Sequence, residues 1–147
     1  MRVVQFIAMI LTGLALVPVG AHLASLPNKI DLAQTDYFIT QSVYRGWALF
    51  GVVLVGAAVA NVVLAVVIRR CGTAFTLVII NLACLLATLA IFFAFTYPTN
   101  VATNNWTAIP NDWADLRWQW EMSHAANAVI TFIGFCSLTA SLLVARD

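Results

Sequence analysis

The last apolar stretch of the sequence carries polar side chains at the spacing of one helix face. At steps of three or four residues stand Arg117, Glu121, His124, Asn127 and Thr131. Glu121 and His124 form a Glu-x-x-His pair, a spacing that can hold a metal ion when a further ligand approaches. With His22 as that ligand, the sequence allows a single metal ion, and it offers too few suitable acids for a dinuclear site.

The two histidines also support other interpretations. His22 lies near the end of the first apolar run and His124 near the start of the last, so they stand at similar depths and are expected to meet across one pocket. They could be the two axial ligands of haem b, or they could share a hydrogen bond. A purely structural alternative is that Glu121 and His124 pair with Arg45 and Arg117 to close one end of a bundle. We favour a site without a cofactor, with haem b and a single metal ion as alternatives.

Helices that cross a membrane must position these side chains. Of the 147 residues, 63% are hydrophobic and only 9% are charged, which is more apolar than a water-soluble domain needs. Crossing the hydrocarbon core takes about 20 residues. The apolar runs predict one domain, 1–147, with helices at about 3–26, 43–68, 73–97 and 116–145. The predicted fold is all-α, an antiparallel bundle of four transmembrane helices.

Basic residues predict the orientation of the bundle. An even number of crossings brings Arg2, the pair Arg69 and Arg70, and Arg146 to one face, and such a bias is typical of the cytoplasmic side. We therefore expect both termini in the cytoplasm and the polar site on the extracytoplasmic side of a bacterial inner membrane.

Local signals describe the link between the first two helices. Pro27, Asn28 and Lys29 are predicted to stop helix one. Asp31 followed by Gln34 resembles a capping box and predicts a short interfacial helix from Leu32 onward.

Charge and cysteine usage limit the partners and cofactors that this chain is expected to bind. A net charge of +1 with scattered charges argues against a nucleic-acid footprint. The three cysteines form no CxxC or CxxCH motif, which argues against a redox pair or covalent haem. The expected partners are membrane lipids and a hydrophobic small molecule, and an oligomer or a larger membrane complex stays open.

Four short motifs stand in a fixed order relative to the predicted helices. They are Ala21-His22 with Leu26-Pro27-Asn28-Lys29, Tyr44-Arg45-Gly46-Trp47, Pro98-Thr99-Asn100, and Asp112-Trp113 through Arg117, Trp120, Glu121 and His124. In this order they resemble the anthrone oxygenase-like proteins, four-helix membrane proteins largely of unknown function, over nearly the whole chain. Members often have an arginine three residues beyond the histidine, where this chain has Asn127.

The resemblance implies an oxygen-dependent oxidoreductase acting on phenolic or anthrone-like molecules. A substrate entering from the membrane would lose a proton to His124 and react as its carbanion with dioxygen to give a quinone. The other implied catalytic residues are Glu121, Arg117 and Arg45. The implied substrate-binding residues are His22, Tyr44, Trp47, Asn100, Trp120 and Asn127.

The resemblance also gives these residues roles. Arg117, Arg45 or Asn100 would stabilise the developing oxyanion, and Trp120 with Trp47 would hold the ring. An alternative from a different class is a non-catalytic accessory subunit that binds a lipid, a quinone or a partner protein. That alternative predicts a polar end filled by ion pairs, with no cavity.

Overall fold

The computed structural model describes residues 1–144, and within them every regular element is helical. The predicted end of helix four at Ala145, and Arg146, lie outside the described residues. The long helices are α1 (Arg2–Lys29), α3 (Phe50–Val67), α4 (Gly72–Ile91) and α6 (Trp113–Val144). The shorter elements are α2 (Gln34–Gln41), two 3-10 turns at Ser42–Tyr44 and Trp47–Leu49, a π-helical stretch at Phe92–Thr96, called the π segment below, and α5 (Tyr97–Ala102).

Four stretches are long and apolar enough to cross a membrane. They are Arg2–Lys29, Trp47–Val67, Gly72–Ala102 and Trp113–Val144. Large apolar side chains stand outward on them, such as Phe6 at 66% exposure and Val52 at 73%, and only a lipid environment makes such a surface favourable. The prediction of an all-α integral membrane protein with four such helices is confirmed.

Each long helix packs against two others. α1 and α4 each lie between α3 and α6. Contacts along α1 and α6 run in opposite directions, because Met9 meets Thr139 near one end while Lys29 meets Glu121 near the other. The chain therefore forms a closed square of helices whose centre is shielded from lipid.

An asparagine network joins the helices at mid-depth. The Asn61 side-chain amide donates to Thr12 Oγ1 at 3.1 Å, and the Asn81 amide donates to Asn61 Oδ1 at 2.8 Å. Gly134 lets α6 approach this network closely, since a Cβ added there would lie 2.7 Å from Asn81 Oδ1 and 2.9 Å from Cys84 Cβ. These contacts fix how α1, α3, α4 and α6 are rotated, and so which residues face the interior.

The predicted end of helix one at about residue 26 is wrong by three residues, because α1 includes Pro27 and ends at Lys29. Proline has a helical φ and costs only one backbone hydrogen bond, so a last turn can include it. The predicted capping box is also wrong. α2 begins at Gln34 after Ala33, and among the described residues no side chain caps it.

Three other helix ends differ from the prediction. Gly46 has a φ of +89°, which interrupts the helix expected from residue 43, so regular α-helix begins only at Phe50. The third span continues through Pro98 to Ala102, because Pro98 stands in the first turn of α5, where its missing N–H costs little. α6 begins at Trp113, before the predicted Leu116.

Candidate functional site

The two histidines stack against each other. Their ring centroids are 4.0 Å apart and their planes differ by 19°, with His22 contributed by α1 and His124 by α6. The expected meeting of the two imidazoles is therefore observed. Trp120 places its ring edge to face with both, at 4.8 Å from His22 and 4.3 Å from His124.

Neither histidine is held by a second polar group at Nδ1. Within residues 1–144, the Nδ1 atoms of His22 and His124 are buried and have no hydrogen-bond partner. A buried polar atom without a partner costs about 1–3 kcal/mol, so native proteins keep few of them. A structural histidine normally has its ring fixed by such a bond. The two Nδ1 atoms are thus candidates for hydrogen bonds that the described protein groups do not supply.

A cavity of about 730 Å³ adjoins the histidine pair. Its walls come from all six α-helices, from both 3-10 turns, from the π segment and from loop residues 105–107. Eight of the predicted site residues line it: His22, Tyr44, Arg45, Trp47, Asn100, Trp120, His124 and Asn127. Its size is in the range of cavities that hold small organic ligands.

Aromatic rings form much of the wall next to the histidines. Tyr44 lies with its ring centroid 4.2 Å from that of His22, and Trp47 lies 4.9 Å from Tyr44. Trp120 Nε1 donates to Asn100 Oδ1 at 2.9 Å, which leaves the Asn100 amide hydrogens for another partner. The predicted sandwich by Trp120 and Trp47 stays a prediction, although both rings contact His22.

Gln41, which is not among the predicted site residues, also lines the cavity, as does the predicted Asn127. Gln41 is 5% exposed, and in the described part of the chain neither of its amide atoms has a hydrogen-bond partner of good geometry. The Asn127 Oδ1 atom is in the same state. The described protein groups thus leave these donors and acceptors unoccupied.

Known proteins give no further guide to the function of this site. No protein-family model, curated protein or solved structure matches this chain. The likeness to anthrone oxygenase-like proteins therefore stays a prediction from the motifs, and function is argued below from the cavity itself.

Glu121 belongs to a buried ion pair behind the cavity wall. Its Oε1 lies 2.9 Å from Lys29 Nζ and accepts a hydrogen bond from the Tyr37 hydroxyl at 3.0 Å. Glu121 is 1% exposed and Lys29 3%, although Nζ lacks a well-aligned hydrogen bond among the described residues. The Lys29 ammonium also lies over Tyr44, 4.7 Å from the ring centroid, and 5.3 Å from that of Trp120.

The predicted pairing of Glu121 with Arg45 and Arg117 is therefore wrong. Arg117 donates to the Leu32 carbonyl at 2.8 Å and lies over Trp113, outside the cavity. Arg45 is exposed and lines the cavity mouth. Lys29 lies closer to Glu121 than the two arginines do, because it belongs to the last helical turn of α1, which directs its side chain inward. A helix that ends before Lys29 does not predict this orientation.

The described residues do not assemble the alternative metal site. Among residues 1–144, no group of three His, Cys, Asp or Glu side chains could hold a metal ion. The proposed ligands His22, Glu121 and His124 are separated because Glu121 is turned to Lys29 and Tyr37.

The haem alternative does not fit the ring geometry. Two axial imidazoles point their nitrogens at an iron between them, from opposite faces of the porphyrin. The rings of His22 and His124 instead stack face to face at 4.0 Å, which leaves no room for a porphyrin between them.

Tyr37 is fully buried beside Glu121 and should keep its proton in strongly basic solution. Burial first, and then the Glu121 charge, raise the pKa of Tyr37 well above its ordinary value of 10.0. The contribution of protonated Tyr37 to the free energy of unfolding is complete below the ordinary pKa of 10.0. It is lost as the pH rises above that pKa, because only the unfolded chain then releases the proton.

The high pKa of Tyr37 can be tested by a base titration. Wild type and Tyr37→Phe should give equal tyrosinate absorbance until the protein unfolds. A larger amplitude in folded wild type would contradict this.

Proposed function

We propose that this chain is an oxygen-dependent membrane oxidoreductase that binds a planar phenolic or anthrone-like molecule beside His22 and His124. The observation that carries the proposal is a stacked histidine pair, with unpartnered buried Nδ1 atoms, in the wall of a large aromatic cavity. The order of motifs in the sequence supports the same substrate class.

Ring stacking and polar contacts would hold such a substrate. Aromatic groups pack favourably against the faces and edges of Tyr44, Trp47 and Trp120. A phenolic hydroxyl can donate to Asn127 Oδ1, and a ring carbonyl can accept from the amides of Gln41 or Asn100. These amides replace the arginines as the groups that stabilise a developing oxyanion, because Arg117 lies outside the cavity and Arg45 lies at its exposed mouth.

The proposed reaction begins with proton transfer to His124. The proton leaves the methylene carbon between two aromatic rings, and the electron pair spreads into the ring system as a carbanion stabilised at oxygen. This carbanion gives one electron to dioxygen, and the resulting radicals combine to form a C–O bond. The peroxide anion takes the first proton back from His124 and becomes a hydroperoxide. His124 then removes the remaining C–H proton as the O–O bond breaks, and the leaving hydroxide takes that proton to form water. The products are a quinone carbonyl and one water per dioxygen consumed.

The orientation and setting of the bundle belong to the same proposal. Arg2, Arg69 and Arg70 lie at one end of the antiparallel helices, which supports a cytoplasmic N-terminus and a C-terminus on the same side. The cavity then opens on the extracytoplasmic half, with α2 lying along the interface, in a bacterial inner membrane.

Turnover in a defined membrane tests the function. Purified protein in lipid nanodiscs is given anthrone under air, and anthraquinone formation and oxygen uptake are recorded together. We expect formation of one quinone per dioxygen at a rate well above that of empty nanodiscs, which measure spontaneous oxidation. Rates equal to those of empty nanodiscs would contradict the proposal.

The accessory-subunit alternative is separated by the same preparation. It predicts ion pairs at the polar end and no cavity, whereas the structure has the Lys29–Glu121 pair and a cavity beside it. Binding of anthraquinone without turnover of anthrone would favour a non-catalytic binding role.

A further inference from the structure

The cavity continues sideways between α3 and the π segment. Gly51 and Val55 of α3 line it on one side, and Phe93 of the π segment lines it on the other. Val55 is 51% exposed and Phe93 is 62% exposed, so both also form part of the outer surface of the bundle. The same residues thus border the cavity and the surroundings of the protein.

This opening between α3 and the π segment, called the gap below, exists because the two elements do not pack together. α3 packs along α4, yet it makes almost no contact with the π segment that continues α4. A π-helical turn is wider than an α-helical turn and commonly marks a functional position. The neighbouring 3-10 turn at Trp47–Leu49 contacts mainly α3, so it does not bridge the gap either.

The position of the gap along the membrane-spanning stretches determines whether it opens to lipid or to water. Gly51 and Val55 belong to the span Trp47–Val67, and Phe93 belongs to the span Gly72–Ala102. An opening bordered by these residues therefore faces lipid chains. The end of the cavity towards water is different, since it is bordered by exposed Ser42 and Arg45.

We propose that this gap is a lipid-facing portal through which a membrane-dissolved planar molecule reaches the histidine pair, with Gly51 and Phe93 setting its width. The ligand class rests on the proposed function. A molecule of this kind partitions strongly into hydrocarbon, so the bilayer is its main reservoir. Entry from lipid also spares it a passage past the polar mouth at Arg45.

Gly51 offers a direct way to close the portal. A Cβ added at Gly51 would meet no described atom within 4 Å outside its own helix, so a larger side chain can extend into the gap without a clash. Gly20 of α1 is equally open but does not line the cavity, which makes it a matched control.

The test measures binding rather than turnover. Five proteins in nanodiscs are mixed with anthraquinone: wild type, Gly51→Phe, Gly20→Phe, Phe93→Ala and Ser42→Phe. Binding is followed as saturable quenching of tryptophan fluorescence, and the time course of the quenching gives the association rate. We expect Gly51→Phe to slow association about tenfold and Gly20→Phe to stay within about twofold of wild type. Phe93→Ala, which removes an exposed ring, should speed association. Ser42→Phe, at the aqueous mouth, should slow it less than Gly51→Phe does.

The outcomes separate the portal from the proposed function. Association of Gly51→Phe at the wild-type rate, or slowing confined to Ser42→Phe, would overturn the portal while anthraquinone binding stands. If Gly51→Phe misfolds, an unchanged rate in Phe93→Ala overturns it instead. Normal portal behaviour without turnover of anthrone would overturn only the oxidoreductase, and an absence of saturable binding in wild type would overturn both.

Discussion

Replacement of His124 by alanine is expected to lower the rate of anthrone oxidation about 100- to 10,000-fold, the usual contribution of a general base. His124 lies in the cavity wall and stacks on His22, and within residues 1–144 its Nδ1 has no protein partner. A neutral imidazole in that position can take the methylene proton, whereas alanine leaves only water to do so. Quinone formation in nanodiscs, measured at saturating anthrone, gives the effect on the chemical step.

His22→Ala is the matched control for this prediction. It removes the same stacking contact from the opposite helix while leaving the proposed base in place. We expect a smaller loss of rate than for His124→Ala, with anthraquinone still bound. Both variants must unfold at similar temperatures in detergent for the comparison to count. Turnover of His124→Ala at the wild-type rate would remove His124 from the chemistry.

The spans and the inward face of the last helix follow from the sequence because hydrocarbon imposes strong rules. Apolar runs of sufficient length cross the bilayer, and polar side chains within them must turn away from lipid. Glu121, Asn127 and Thr131 accordingly have exposures of 1%, 2% and 1%. The same reasoning brought His22 and His124 to similar depths, and the packing of α1 on α6 then placed their rings in contact.

The partner of Glu121 did not follow from the sequence. Depth alone allows several cations near the polar end, and the choice among them depends on how α1 is rotated in its last turn. Lys29 turns inward there, while Arg45 follows a 3-10 turn beside Gly46 and stays exposed. Lys29 belongs to the motif Leu26-Pro27-Asn28-Lys29. A buried carboxylate such as Glu121 needs a cation close to it, and this requirement is the feature that could have indicated Lys29.

The shape of the cavity also lay beyond the sequence pattern. The π segment, Phe92–Thr96, reads as an ordinary apolar run, and one wider turn changes which of its side chains reach the interior. Gln41 is buried only because α2 folds back over the bundle, where Tyr37 packs with Trp106 and Trp120. Such features depend on contacts between distant parts of the chain, which periodicity does not encode.

Removal of the Lys29 charge is expected to destabilise the protein strongly. In Lys29→Met, the Glu121 carboxylate stays buried at 1% exposure and keeps only the Tyr37 hydroxyl as a partner among the described residues. Breaking a buried ion pair from one side commonly costs about 3–5 kcal/mol, because the remaining charge has lost both water and its counterion. The free energy of unfolding, measured by denaturant titration in mixed micelles, gives the loss directly.

The two partners should not be equivalent. Glu121→Gln leaves the Lys29 ammonium over the faces of Tyr44 and Trp120, at 4.7 and 5.3 Å from the ring centroids, so part of its stabilisation remains. We therefore expect Glu121→Gln to cost less than Lys29→Met, and the double variant Lys29→Met/Glu121→Gln to recover much of the loss, because it leaves no buried charge. Arg45→Met, which removes an exposed cation at the same end, should change the unfolding free energy by less than about 0.5 kcal/mol. A loss in Lys29→Met no greater than in Arg45→Met would show that Lys29 and Glu121 do not pair in the membrane.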